Sequence, residues 1–137
     1  MPPDVAFLGS SATLLAVIEP DSPTSADALP PLSTGWVLAR IAGPSMSPTV
    51  RDGDRLLVRR LPQGSRPAPG TVVLARFPAR PELLVVKRVR RVLPDGVWVE
   101  GDNSLTTDDS RSFGPAVAVG RVVLRLWPAP GRLPAAP

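Results

Sequence analysis

At 137 residues the chain has room for one domain around one core, and it carries a net charge of +4. Apolar residues make up 43% of it and aromatics only 4%, so Val, Leu, Ile and Ala must build the core; 19 prolines break up long helices. The sequence contains no Cys and no His, which excludes disulfides, thiolate nucleophiles, metal sites built on those ligands, and any Ser-His-Asp triad.

In chain order, residues 1–33 read as an N-terminal arm, 34–128 as the folded domain and 129–137 as a Pro-rich, disordered tail. The most apolar part of the arm, Val5 to Ile18, is interrupted by Gly9-Ser10-Ser11 and falls short of the roughly 20 residues a spanning helix needs. Met1-Pro2-Pro3-Asp4 also lacks the positive start of an export signal. A soluble, cytoplasmic protein is expected, with peripheral membrane contact left open. Within the arm, Ala12 to Ile18 has the composition of a short strand.

From Gly35 the pattern changes to short apolar runs separated by turn residues. Strands are expected at Trp36–Ala42, Asp54–Arg60 (after Arg51-Asp52-Gly53), Gly70–Phe77 and Glu82–Leu93. Pro94-Asp95-Gly96 turns the last of these onto Val97–Glu100, and Val117–Trp127 completes the set. A turn of helix is placed near Ser47, with Pro48 at its first position. These runs predict a mainly β fold: a compact antiparallel barrel or folded sheet with little helix.

Without His or Cys, hydrolytic chemistry has to use Ser or Thr with Lys, or carboxylates. All the basic residues except Lys87 are Arg, and a guanidinium cannot give up its proton whereas an ammonium can. Lys87 lies in the Val-rich run Leu84-Val85-Val86-Lys87-Arg88-Val89, where alternation puts it on one face with Val85 and Val89. Burial of that face would favour the neutral amine, which is a base; the alternative places Lys87 in solvent, with Val86 and Arg88 inward. Upstream, Gly43-Pro44-Ser45-Met46-Ser47-Pro48-Thr49 presents a hydroxyl on a small-residue turn whose amides are available to a developing oxyanion. By itself that segment reads first as an ordinary Gly-Pro turn between two strands.

Downstream, Gly101 to Pro115 is a polar loop. Asp102, Asp108 and Asp109 do not have the spacing of a calcium loop, so no metal and no cofactor are expected, and an internal Asp–Arg pair is the more economical reading. The Arg residues are spread over strand ends and turns, clustering only at Arg88, Arg90 and Arg91, so no nucleic-acid partner is expected.

Together the Ser45-Met46-Ser47-Pro48-Thr49 box, the Lys87-Arg88 pair and the Gly101-Asp102-Asn103 … Asp109-Ser110-Arg111 box resemble, in order, the signatures of the type I signal peptidase family, over Ile41 to Trp127. The resemblance implies a Ser–Lys dyad serine endopeptidase, with Ser45 as nucleophile and Lys87 as general base. It implies an oxyanion hole formed by the Ser45 amide and, where many relatives carry a Ser, by the backbone at Gly43. It makes Asp109 and Arg111 a structural pair and gives the Thr107 hydroxyl the task of orienting the Lys amine. By the same analogy the substrate lies as a strand against Ile41, Ala42, Val85 and Val86.

A narrower likeness rests on Leu83-Leu84-Val85-Val86-Lys87-Arg88, the Trp98 strand and Phe113-Gly114-Pro115. It is to the nickel-type superoxide dismutase maturation proteases, which remove an N-terminal extension from their partner. A substrate protein with such an extension, such as a nickel dismutase precursor, is therefore the expected partner. The alternatives are a signal peptidase-like enzyme acting on exported proteins at the membrane, and a non-catalytic basic β module that binds peptide or nucleic acid.

Overall fold

The computed structural model describes residues 5–6, 15–16, 35–105 and 108–135. Its strands are β1 (Val5–Ala6), β2 (Leu15–Ala16), β3 (Trp36–Ile41), β4 (Arg55–Arg60), β5 (Val72–Phe77), β6 (Arg80–Leu93), β7 (Gly96–Glu100) and β8 (Val117–Trp127), with one short helix, α1 (Ser110–Phe113). They form one eight-stranded sheet in the order β1-β3-β4-β8-β5-β6-β7, with β2 paired to β3 off this path. All pairings are antiparallel except β2 with β3. The mainly β expectation holds, as an open folded sheet: among the described residues no ladder joins its two ends.

Period-2 alternation explains the outer strands. On β3, Val37, Ala39 and Ile41 are buried, and on β4, Leu56 and Val58 are; their neighbours in sequence face outward. The central strands are different. β5 pairs with β6 on one side and β8 on the other, and its Val-Val-Leu-Ala run is buried on both faces. Two apolar clusters result. One gathers Val37, Leu56, Val58, Leu74, Leu84 and Val86 inside the fold of the sheet. The other gathers Val73, Phe77, Val85, Val89, Val97 and Val99 on the opposite face of β5 and β6.

Two expectations change. No helix starts at Ser47: residues 45–49 are a turn, held by Ser47 N–H to Pro44 O at 3.0 Å and Val50 N–H to Met46 O at 2.9 Å. Residues 129–135, expected as a disordered tail, fold back onto the sheet: Gly131 bridges Arg125, Leu133 packs on the first cluster, and Pro134 O accepts from Arg88 at 3.1 Å. Buried Arg88 offers guanidinium donors that carbonyls can satisfy, so a Pro-rich segment with no ladder of its own is still tied down. Of the expected strand in the arm, only Leu15–Ala16 lies within the described residues.

Candidate active site

β3 ends at Ile41 and the chain reverses at Gly43, whose φ of 97° is open to glycine and strained for other residues. The turn that follows carries Ser45, only 5% exposed. Opposite it, β6 carries Lys87 into the interior with no exposed surface. The two meet at Gly101, directly after β7. A Cβ added there would run into the Ser45 carbonyl oxygen and stand 3.6 Å from Lys87 Nζ. A bare glycine is thus what allows the Ser45 turn and the amine of β6 to approach each other.

Gly101 is held by Asp109, whose Oδ2 accepts the Gly101 N–H at 2.8 Å. Asp109 is fully buried and is also the N-cap of α1. Its carboxylate accepts from Arg111 Nε at 3.0 Å, Arg111 Nη2 at 2.7 Å and the Arg111 amide at 3.1 Å. Burial pushes the Asp109 carboxyl up, but the Arg111 side chain, the Gly101 and Arg111 amides and the Arg111 charge together outweigh it and hold it below its ordinary value. The Asp109–Arg111 pair thereby fixes the loop that separates Ser45 from Lys87.

A second ion pair, buried on both of its sides, also braces the site. Arg88 and Lys87 are consecutive on a strand covered on both faces, so both are interior, and Arg88 is only 2% exposed. The choice between an inward Lys87 and an inward Arg88 therefore does not arise. Arg88 is tolerated because Asp102 meets it in a fork: Nε to Oδ1 at 3.0 Å and Nη2 to Oδ2 at 2.8 Å, with Nη1 to Gly70 O at 2.8 Å. Asp102 also accepts from Thr49 Oγ1 at 2.5 Å, and its amide donates to Met46 Sδ at 3.4 Å. One carboxylate thus ties the Ser45 turn to the strand that bears the amine. The sequence shows Asp102 and Thr49 within the two boxes but not their link to Arg88; the signal for it is a second cation beside Lys87 that needs a buried partner.

The other expected site residues fall out unevenly. The Gly43 amide, assigned to the oxyanion hole, donates instead to Asp52 Oδ1 at 2.9 Å, so in this conformation it is turned to a carboxylate. Thr107 lies outside the described residues. Ile41 is buried, and its strand edge is taken by β1, with Val5 opposite Ile41. Ala42 is half-buried, directly after β3. Val85 and Val86 are buried and pair with Ala75 and Leu74 of β5. Among the described residues no group of acidic side chains is arranged to hold a metal ion. No helix among them is long and apolar enough to cross a membrane.

A buried Ser and a buried Lys are thus brought to one glycine on a folded antiparallel sheet, and the chain is similar to known peptidases. The family model described as Peptidase S24-like matches residues 17–123, and the chain belongs to that family. It is 35% identical to the mitochondrial inner membrane protease subunit 1 of Xenopus tropicalis, over 64% of this chain and 66% of that protein. It is 34% identical to the mitochondrial ATP-independent inner membrane protease subunit 1a of Arabidopsis thaliana, over 64% and 68%. Against the mitochondrial inner membrane protease subunit 2 of Schizosaccharomyces pombe it is 31% identical, over 71% and 66%. The chain thus spans about two thirds of the length of these relatives. They are membrane protease subunits, and the narrower likeness to dismutase maturation proteases finds no support among them.

Proposed function

We propose that this chain is a Ser–Lys endopeptidase that trims precursor proteins at a membrane surface. The observation that carries the chemistry is the meeting of Ser45 and Lys87 across Gly101. With no His and no Cys in the sequence, the buried Lys87 amine is the group that the reading assigns as base. Ser45 Oγ adds to the scissile carbonyl while the Lys87 amine takes its proton. The Ser45 amide donates to the oxyanion. Collapse of the tetrahedral adduct breaks the C–N bond, and Lys87 returns the proton to the leaving amine. Water, deprotonated by the same amine, then releases the acyl group.

Two observations favour a membrane as the place of action. The similar proteins are named for the mitochondrial inner membrane. The outer face of β3, β4 and β8 is also built for an interface. Cross-strand partners share a face, and the register sets three rows there: Trp36–Arg59–Arg121, Leu38–Leu57–Leu124 and Arg40–Arg55–Trp127. Arg59 lies over the Trp36 ring at 5.1 Å and Arg55 over the Trp127 ring at 5.3 Å. An apolar row between Arg and Trp rows, with no acid among them, suits an anionic headgroup layer.

Cleavage of an internally quenched peptide with small residues before the scissile bond tests the chemistry. Ser45→Ala is expected to abolish turnover in a folded protein. Lys87→Arg, which keeps the charge and cannot act as a base, is expected to lower it by at least about 10²-fold. Wild-type rates in either folded variant would remove the dyad.

A further inference from the structure

Three hydrogen bonds converge on the peptide planes on either side of Ser45, and one residue supplies two of them. The Asn103 side chain donates through Nδ2 to Pro44 O at 3.0 Å. The Asn103 amide donates to Ser45 O at 2.9 Å, and the Ser47 amide also donates to Pro44 O at 3.0 Å. The Asn103 side-chain orientation is not arbitrary. Its Oδ1 accepts from the Leu105 amide at 2.9 Å, so the acceptor faces a donor and the donor faces a carbonyl.

The Pro44 carbonyl and the Ser45 N–H belong to one peptide unit. That unit is trans, so the two bonds point in opposite directions across one rigid plane. Whatever fixes the Pro44 oxygen therefore fixes where the Ser45 N–H points. The bond from Asn103 to Ser45 O clamps the next plane, so the backbone on both sides of the Ser45 Cα is set by the same residue. Asn103 is itself held in place. It follows Asp102, which is locked to Arg88 and Thr49, and lies two residues after Gly101, which is locked to Asp109.

We infer that Asn103 is a positioning residue for the oxyanion hole: its side-chain N–H₂ aims the Ser45 amide by holding the carbonyl of the same peptide unit. The inference rests on the reading of Ser45 as the nucleophile. Without the Nδ2 donor, the Pro44–Ser45 plane keeps, among the described residues, the Ser47 bond and can rock about it. The developing oxyanion then meets a donor whose direction is no longer fixed, which weakens the transition state and leaves ground-state peptide binding untouched.

Asn103→Asp separates this role from a merely structural one. It retains an acceptor for the Leu105 amide and the backbone bond to Ser45 O, and it replaces the donor by an oxygen facing Pro44 O. With the quenched peptide, kcat is expected to fall about 10- to 100-fold with KM unchanged, somewhat less than the loss on removing an oxyanion donor outright. A peptide aldehyde, which forms a tetrahedral adduct with Ser45, should lose affinity by the same factor, whereas the matching peptide alcohol should not.

A melting curve is recorded on each preparation, and Asn103→Ala serves if the Asp variant does not fold. Turnover within about threefold of wild type, a loss confined to KM, or equal losses for aldehyde and alcohol would each overturn the role. Ser45→Ala is assayed alongside. If it cleaves the peptide at the wild-type rate, the nucleophile reading fails. If it is inactive while Asn103→Asp is fully active, that reading stands and only the Asn103 role fails.

Discussion

Asp109 shows how a single residue can hold a site it does not touch chemically. Its carboxylate accepts the Gly101 amide and three donors from Arg111, and the balance leaves it more acidic in the folded chain than in the unfolded one. A depressed carboxyl contributes stability that is fully present above its unfolded value, near 3.9, and is lost as pH falls through the folded value. Asp109→Asn removes that contribution at every pH. In urea titrations, the stability gap between wild type and Asp109→Asn is expected to be constant from pH 7 to about 5 and to shrink progressively below about pH 4. A gap that widened on acidification would mean that the carboxyl is not stabilised by these donors.

At the scale of elements, β6 decides most of the architecture of the site. It is long enough to pair with β5 through Arg80–Arg88 and with β7 through Arg88–Leu93, and its middle is covered on both faces. That double burial puts Lys87 beside one apolar cluster and forces Arg88 in the other direction, where Asp102 receives it. Removing one member of a buried ion pair strands the other, at a cost of about 3–5 kcal/mol. Asp102→Ala is accordingly expected to destabilise the protein by that amount, measured by urea unfolding. Thr49→Val, which removes one donor and leaves the Arg88 fork intact, should cost about 1–2 kcal/mol. An Asp102→Ala protein within about 1 kcal/mol of wild type would show that the Gly70 and Pro134 carbonyls suffice for Arg88.

The same strand marks the limit of what the sequence discloses. Strand positions followed from apolar runs and turn residues, and the one Lys among many Arg pointed to a chemical role. A Val-rich run interrupted by cations does not reveal how many strands flank it, so the burial of Arg88 and its partnership with Asp102 stay hidden in the sequence. Helix α1 was hidden for another reason: its N-cap, Asp109, was read as an ion-pair partner, and the residue does both. The engagement of Gly43 by Asp52 needs a turn geometry that spacing does not encode.

At the scale of the whole molecule, folding the sheet leaves the outer face of β3, β4 and β8 uncovered by either apolar cluster. Arg55 and Arg59 alternate there with core-facing Leu56 and Val58, so both guanidinium groups can be altered without entering the core or the Ser45 turn. Each basic residue near an anionic bilayer contributes about 1 kcal/mol of binding. Replacing both, as Arg55→Gln with Arg59→Gln, is therefore expected to weaken partition by roughly 2 kcal/mol, or about 30-fold. The measurement is co-sedimentation with phosphatidylserine-containing vesicles against pure phosphatidylcholine. Wild type should bind the anionic vesicles, release them as salt rises, and leave the neutral ones in the supernatant. Cleavage of the soluble quenched peptide should be the same in both proteins, because the chemistry lies on the other side of β4. Equal binding to both kinds of vesicle, or a double variant that sediments as well as wild type, would show that this face does not meet a membrane, while the dyad itself would still stand on the peptide assay.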